Sequence, residues 1–156
     1  MPRNLQKQAA KSQLTPEFHP TCIGSTPLLR VPPPSGVLEA VTHTLFVCTT
    51  CKRGPAEAPL GPGLIDDLAG AGLPADFQVI GTACMSNCTR PLSVALSAPG
   101  KATYMLAEID PADDCAALVE LAQLYASKPD GQTKLLERPK AIRRKIIGRI
   151  PGLPSL

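Results

Sequence analysis

Four cysteines in two short loops are the residues here best equipped for chemistry: Cys48 and Cys51 in a Cys-x2-Cys spacing, Cys84 and Cys88 in a Cys-x3-Cys spacing. Thiolates gathered together repel one another unless a cation or a cluster sits among them. Iron–sulfur clusters and zinc both use four-sulfur shells of this kind. Lys52, Arg53 and Arg90 flank the two loops, and neighbouring cations lower a thiol's pKa and offset negative charge on a thiolate-bound centre. Gly54, Gly81 and Ser86 leave room for backbone N–H groups to reach sulfur. The alternative for each cysteine is an inert buried thiol, a role for which loop ends are a poor place. Cys115 and Cys22 differ from these four. Cys115 falls on the apolar stripe of a helix and reads as a small core residue, and Cys22 reads as a lone thiol without a role. His43 is five residues before Cys48, so strand alternation points it to the opposite face. His19 lies in the irregular start, and neither histidine is expected as a ligand.

The elements that must position these loops can be read in order. Residues 42–48 (THTLFVC) are rich in β-branched and aromatic side chains and predict a strand. A Gly- and Pro-punctuated loop follows to residue 62. A short helix is expected over 64–71, with Leu60, Leu64, Leu68 and Ala71 on one face. Residues 77–82 (FQVIGT) predict a second strand, and residues 92–98 and 102–109 two more joined by a hairpin turn at Pro99, Gly100 and Lys101. Asp110 and Pro111 open the last helix as N-cap and first-turn proline. Its apolar face is Cys115, Leu118, Ala122 and Tyr125, with Leu121 beside it. Asp113 and Asp114, like Asp66 and Asp67, read as solvated charge. A βαβ unit followed by ββα is the thioredoxin-like layout, an α/β fold. In a βαβ unit the two strands run parallel, so the loops bearing both cysteine pairs leave the same edge of the sheet.

Composition narrows the function classes. Three Phe, two Tyr and no Trp leave no stacking platform for nucleic acid. No apolar run reaches the roughly 18 to 20 residues that span a bilayer, and the basic N-terminus has no apolar stretch behind it, so no secretory signal is read. The expected compartment is cytoplasmic, where thiols stay reduced and cysteines serve metal or redox chemistry. The net charge of +3 hides a split: residues 42–127 hold four Lys/Arg against nine acids, whereas residues 134–149 hold seven Lys/Arg and one acid, Glu137. The chain thus divides into three regions. Residues 1–40 are a proline-rich, disordered or extended lead-in, residues 41–128 the thioredoxin-like metal-binding domain, and residues 129–156 a basic tail. Within the tail Ile142, Ile146 and Ile150 recur at i, i+4 and i+8, which predicts a short amphipathic helix between Pro139 and Pro151. Its isoleucines would pack on the domain. Its charges would face water, or an acidic partner, or the acidic body of a second copy in a homodimer.

The motifs VCTTCKRG and CMSNCTRPLSVALSAPGKATYMLAEIDPADD, with the ending RPKAIRRKIIGRIP, resemble a bacterial family catalogued as a domain of unknown function and described as predicted metal-binding proteins. The second half is also similar to thioredoxin-like 2Fe–2S ferredoxins, in which Cys-x3-Cys is followed by a proline, a β-hairpin and a final helix; here these are Cys84, Cys88, Pro91, the hairpin and the helix from Pro111. The resemblance implies a 2Fe–2S cluster on Cys48, Cys51, Cys84 and Cys88. The ferredoxins usually separate their first two cysteines by ten or more residues, so Cys48 is a safer ligand than Cys51. Relatives of the metal-binding family occur beside cobalamin-biosynthesis functions, which implies electron delivery to a metal-handling step.

Three functions fit these residues. A 2Fe–2S electron carrier passes one electron to a redox partner protein and is not an enzyme. A binding module holds zinc structurally in a closed shell. A dithiol oxidoreductase uses Cys48 and Cys51 for thiol exchange, with Pro91 ahead of the third strand. Ligand chemistry ranks the carrier first, because a simple dithiol enzyme has no need of the second pair.

Overall fold

The β-branched and aromatic run that predicts the first strand forms β1 (His43–Cys48). The structure, a computed structural model, describes residues 43–153. The expected lead-in, with His19 and Cys22, lies outside the described residues. After β1 the chain crosses through α1 (Gly61–Gly70) to β2 (Phe77–Thr82), which has the expected bounds. Helix α1 starts three residues earlier than expected, because Pro62 suits the first turn of a helix. Strands β3 (Val94–Ser97) and β4 (Thr103–Leu106) form the hairpin, and α2 (Pro111–Ala126) comes next.

One five-stranded sheet holds the strands in the order β2-β1-β3-β4-β5, where β5 is Ile146–Ile150. Strands β1 and β2 are parallel and every other neighbouring pair is antiparallel. The first four strands and two helices make the thioredoxin-like βαβ–ββα arrangement. Side chains in register alternate faces together. Leu45 stands beside Val79 and Leu96, and Leu96 beside Tyr104. This row lies under the helices and joins Leu64, Leu68, Leu118 and Leu121 in one apolar core. Burial of a leucine side chain stabilises by about 2 kcal/mol relative to exposure, so this row and the two helix stripes dominate the fold's stability.

Asp110 caps α2 as expected, its carboxylate accepting from the N–H groups of Ala112 at 3.0 Å and Asp113 at 3.4 Å. Asp114 does not behave as solvated charge. It is buried, accepts from the Asp110 N–H at 2.7 Å, and pairs with the Lys145 ammonium. Lys145 also binds the chain next to β4, its carbonyl accepting from the Ala107 N–H at 2.9 Å.

The basic tail is not the expected amphipathic helix. Residues 140–145 form turns that bury Ile142, and residues 146–150 add β5 to the edge of β4. Two causes override the helical spacing. Gly148 sits in mid-segment, where it is poor in a helix. Strand β4 offers an open row of N–H and C=O groups to a run of β-branched isoleucines, which suit a strand.

Two predictions come from this core. Replacing Asp114 by Ala leaves the Lys145 ammonium and the Asp110 N–H without their acceptor, and should lower unfolding free energy by about 2 kcal/mol; urea unfolding followed by circular dichroism measures it. Tyr104 and Tyr125, the chain's two tyrosines, pack edge to face with ring centroids 6.2 Å apart. Burial, with Tyr104 alongside, pushes Tyr125 up to about 12. Burial also opposes ionisation of Tyr104, but hydrogen bonds from Thr133 and the nearby Arg138 guanidinium outweigh it and lower its pKa. Phenolate absorption should therefore rise in two separate steps. Because Tyr125 holds its proton more tightly folded than unfolded, its contribution to stability is complete below the ordinary tyrosine range of about 10 and declines as pH climbs towards 12. A single phenolate step at the ordinary value would contradict this.

Candidate metal centre

Cys48 is the last residue of β1, and β1 pairs with β2 in parallel through Cys48 and Thr82. The loop with Cys84 and Cys88 begins just after Thr82, so both cysteine loops leave one rim of the sheet. Further contacts hold the first loop there. The Thr49 N–H donates to the Thr82 carbonyl at 2.8 Å, and the Thr49 hydroxyl to the same oxygen at 2.9 Å. The Leu60 N–H donates to the Cys51 carbonyl at 2.9 Å, which folds residues 51–60 back so that α1 starts against β1. Gly61 makes that approach possible: a Cβ there would lie 2.1 Å from the Cys48 carbonyl oxygen.

Each cysteine pair is internally close. The Cys84 and Cys88 sulfurs are 3.4 Å apart and exposed. Cys48 and Cys51 are buried, and each shifts the other's pKa. The two loops adjoin: the Met85 N–H of the second is among the groups that hold the Cys48 thiol down, and charge on Cys48 helps to raise Cys88. Among the described residues, no three His, Cys, Asp or Glu side chains converge on a point that would hold a single metal ion. The arrangement is two neighbouring pairs of sulfur, one inside and one at the surface.

The surroundings stabilise thiolate mainly through dipoles. Burial pushes the Cys48 thiol up, but hydrogen bonds from the Thr50 hydroxyl and N–H, the Met85 N–H and Cys51 outweigh it and bring it to about 7. Burial raises Cys51, partly countered by the N–H and hydroxyl of Ser93. Cys88 is raised by the hydrogen bond it shares with Cys84. The Ser86 N–H donates to the Cys84 sulfur at 3.2 Å, with Ser86 at φ 59° turning the loop towards it.

The expectation that Arg53 and Arg90 serve the cysteines is corrected. Arg53 pairs with Asp110, and Arg90 with Glu108 at 2.8 Å. The segment after β4 crosses the same rim, with the Glu108 N–H donating to the Arg90 carbonyl at 3.2 Å, so its carboxylates meet these guanidiniums first. Lys52 is exposed. His43 sits at the opposite end of β1, its Nδ1 2.7 Å from Asp76 and its ring stacked on Phe77 at 4.8 Å. Cys115 is fully buried in α2, but it is disulfide-bonded rather than the free core thiol expected. Thr50, Met85, Asn87 and Ser93, which surround the sulfurs, escaped sequence reasoning. Proximity to the cysteines was the signal for Thr50, Met85 and Asn87, whereas nothing in the local pattern marks Ser93.

A family model described as a protein of unknown function (DUF1636) matches residues 45–152. The chain belongs to this family. The matched span of the family takes in both cysteine loops and strand β5. No curated protein matches the chain. Among solved structures it is similar to a thioredoxin-like [2Fe-2S] ferredoxin from Aquifex aeolicus, at 17% identity and a TM-score of 0.47, over 73% of this chain and 99% of that one. Among the described residues no helix is long and apolar enough to cross a membrane.

The close approach at Gly61 yields a prediction for the site. Gly61→Ala places a methyl group on the Cys48 carbonyl, so the loop or α1 must shift, at a cost of about 1–3 kcal/mol. Gly63→Ala, where a Cβ meets nothing within 4 Å, should leave stability unchanged or slightly raised. Thermal melts of the two variants compare them directly, and equal melting temperatures would contradict the close approach.

Proposed function

We propose that Cys48, Cys51, Cys84 and Cys88 hold a 2Fe–2S cluster, and that this family member carries single electrons to and from a partner protein. The observation behind the reading is the division of the thiols into two adjacent pairs. A zinc ion with sulfur at about 2.3 Å needs four sulfurs around one point. A two-iron centre instead takes two cysteines on each iron, which is the grouping these thiols have. The donor set fits: four sulfurs, one of them near neutral pKa, with N–H and hydroxyl donors aimed at them.

When bound, such a centre supplies one-electron exchange at a potential set by exposure and by hydrogen bonds to sulfur. The chain's own residues do the rest. Cys48 and Cys51 anchor the inner side from the end of β1, where Thr49 and Gly61 fix the loop. Cys84 and Cys88 present the outer side to solvent, the side that a transient partner approaches. The Met85, Ser86 and Thr50 donors stabilise charge on sulfur without adding a mobile ion.

Anaerobic purification with iron supplied tests the reading. The expected product is brown, with iron and acid-labile sulfide in equal amounts and a paramagnetic signal on one-electron reduction. A Cys84→Ser, Cys88→Ser double variant should lose the colour while the apo fold persists, because both residues are exposed. Stoichiometric zinc without iron or sulfide would replace this reading with the structural-zinc one. Full disulfide-reductase activity in the double variant would replace it with the dithiol one.

A further inference from the structure

Ser93 lies between β3 and the cysteine rim and is fully buried. Its carbonyl accepts from the Cys48 N–H at 3.0 Å, at the start of the inner cysteine loop. Its hydroxyl oxygen is 3.2 Å from the side-chain amide nitrogen of Asn87, inside the loop between Cys84 and Cys88. The amide nitrogen of Asn87 can only donate, so the Ser93 oxygen accepts there. One buried residue thus ties the outer loop through its hydroxyl and the inner loop through its carbonyl.

We infer that Ser93 is a positioning residue that couples the two cysteine pairs, its carbonyl holding the Cys48 N–H and its hydroxyl holding the Asn87 amide. The inference rests on the reading that the four cysteines hold a thiolate-bound centre, and it extends that reading to residues outside the ligand set. Through its carbonyl on Cys48 and its hydroxyl on Asn87, Ser93 sets where the outer loop sits relative to the inner one. Residues that orient metal ligands typically contribute 10- to 100-fold in metal affinity, and the exposure of a cluster's sulfurs helps to set its reduction potential.

The test uses the full chain and Co(II), which one cysteine pair can take with water completing its shell and whose sulfur charge-transfer absorption reports that ligation, beside anaerobic reconstitution with iron and sulfide. Ser93→Ala should bind Co(II) about 10-fold more weakly than the parent, and its reconstituted form should have a shifted midpoint potential, because the freed outer loop changes the exposure of the sulfurs. Asn87→Ala should weaken binding by a smaller factor. The double variant should be no weaker than Ser93→Ala alone, since the two residues act through one hydrogen bond. Additive losses, or unchanged affinity and potential in both single variants, overturn the inference. Should Ser93→Ala fail to fold, the half-buried Asn87 decides: weaker Co(II) binding by Asn87→Ala supports the coupling and parent-like binding overturns it. A parent chain that takes Co(II) through sulfur but forms no iron–sulfide centre defeats the iron reading alone, with the Co(II) series still deciding Ser93. A parent that takes neither defeats both.

Discussion

The parallel pairing of β1 with β2 is the constraint on which the rest depends. A parallel pair needs a crossover, here α1 and its flanking loops, and the crossover returns the chain to the same starting edge. Both strands therefore end at one rim, and thiols more than thirty positions apart in the chain arrive together there. In an antiparallel pair, Thr82 would lie at the other end of the sheet from Cys48 and the second loop would leave from the wrong rim. The apolar row Leu45, Val79, Leu96 and Tyr104 enforces the register. A slip by one residue would turn each strand's core face outward and separate the loops as well.

Much of this was legible because it is written in local pattern. The run FQVIGT marks β2 to the residue, and Asp110 followed by Pro111 marks the start of α2. The meeting of the cysteine loops needed only the strand–helix–strand order. What escaped has its cause far along the chain. Asp114 looks like ordinary first-turn charge until Lys145, 31 positions later, reaches it. Residues 146–150 carry a helical apolar spacing, and only the open edge of β4 makes them a strand. Arg53 and Arg90 look free until the segment after β4 brings Asp110 and Glu108 beside them. In each case a pairing distant in sequence overrides a local preference that is worth less than about 1 kcal/mol per residue.

The tail is thus part of the body. Its turn buries Ile142 in the core, its Lys145 neutralises the buried Asp114, and its last strand closes the β4 edge. The acidic middle and basic end seen in the sequence are partly one internal ion pair. Other tail cations are also tied to nearby groups. Arg138 donates to the Thr133 carbonyl and lies over the Tyr104 ring, and Arg143 donates to the Arg138 carbonyl. Part of the charge asymmetry that suggests a docking segment is used in folding, while Lys134, Lys140, Arg144 and Arg149 stay exposed.

Competition for charge also explains why dipoles rather than ions surround the sulfurs. An exposed guanidinium attracts a nearby thiolate through solvent, and such surface pairs are worth at most about 1 kcal/mol and weaken with salt. A hydrogen bond to a charged group contributes about 1.5–3 kcal/mol and, once buried, does not wander. Arg53 and Arg90 direct their charge to carboxylates, while Thr50, Met85, Ser86 and Ser93 supply donors fixed by the backbone. Fixed donors hold their strength when the charge on sulfur changes, because nothing has to reorganise. That arrangement places the electrostatics of the sulfurs in neutral residues that charge-based reading of the sequence passes over.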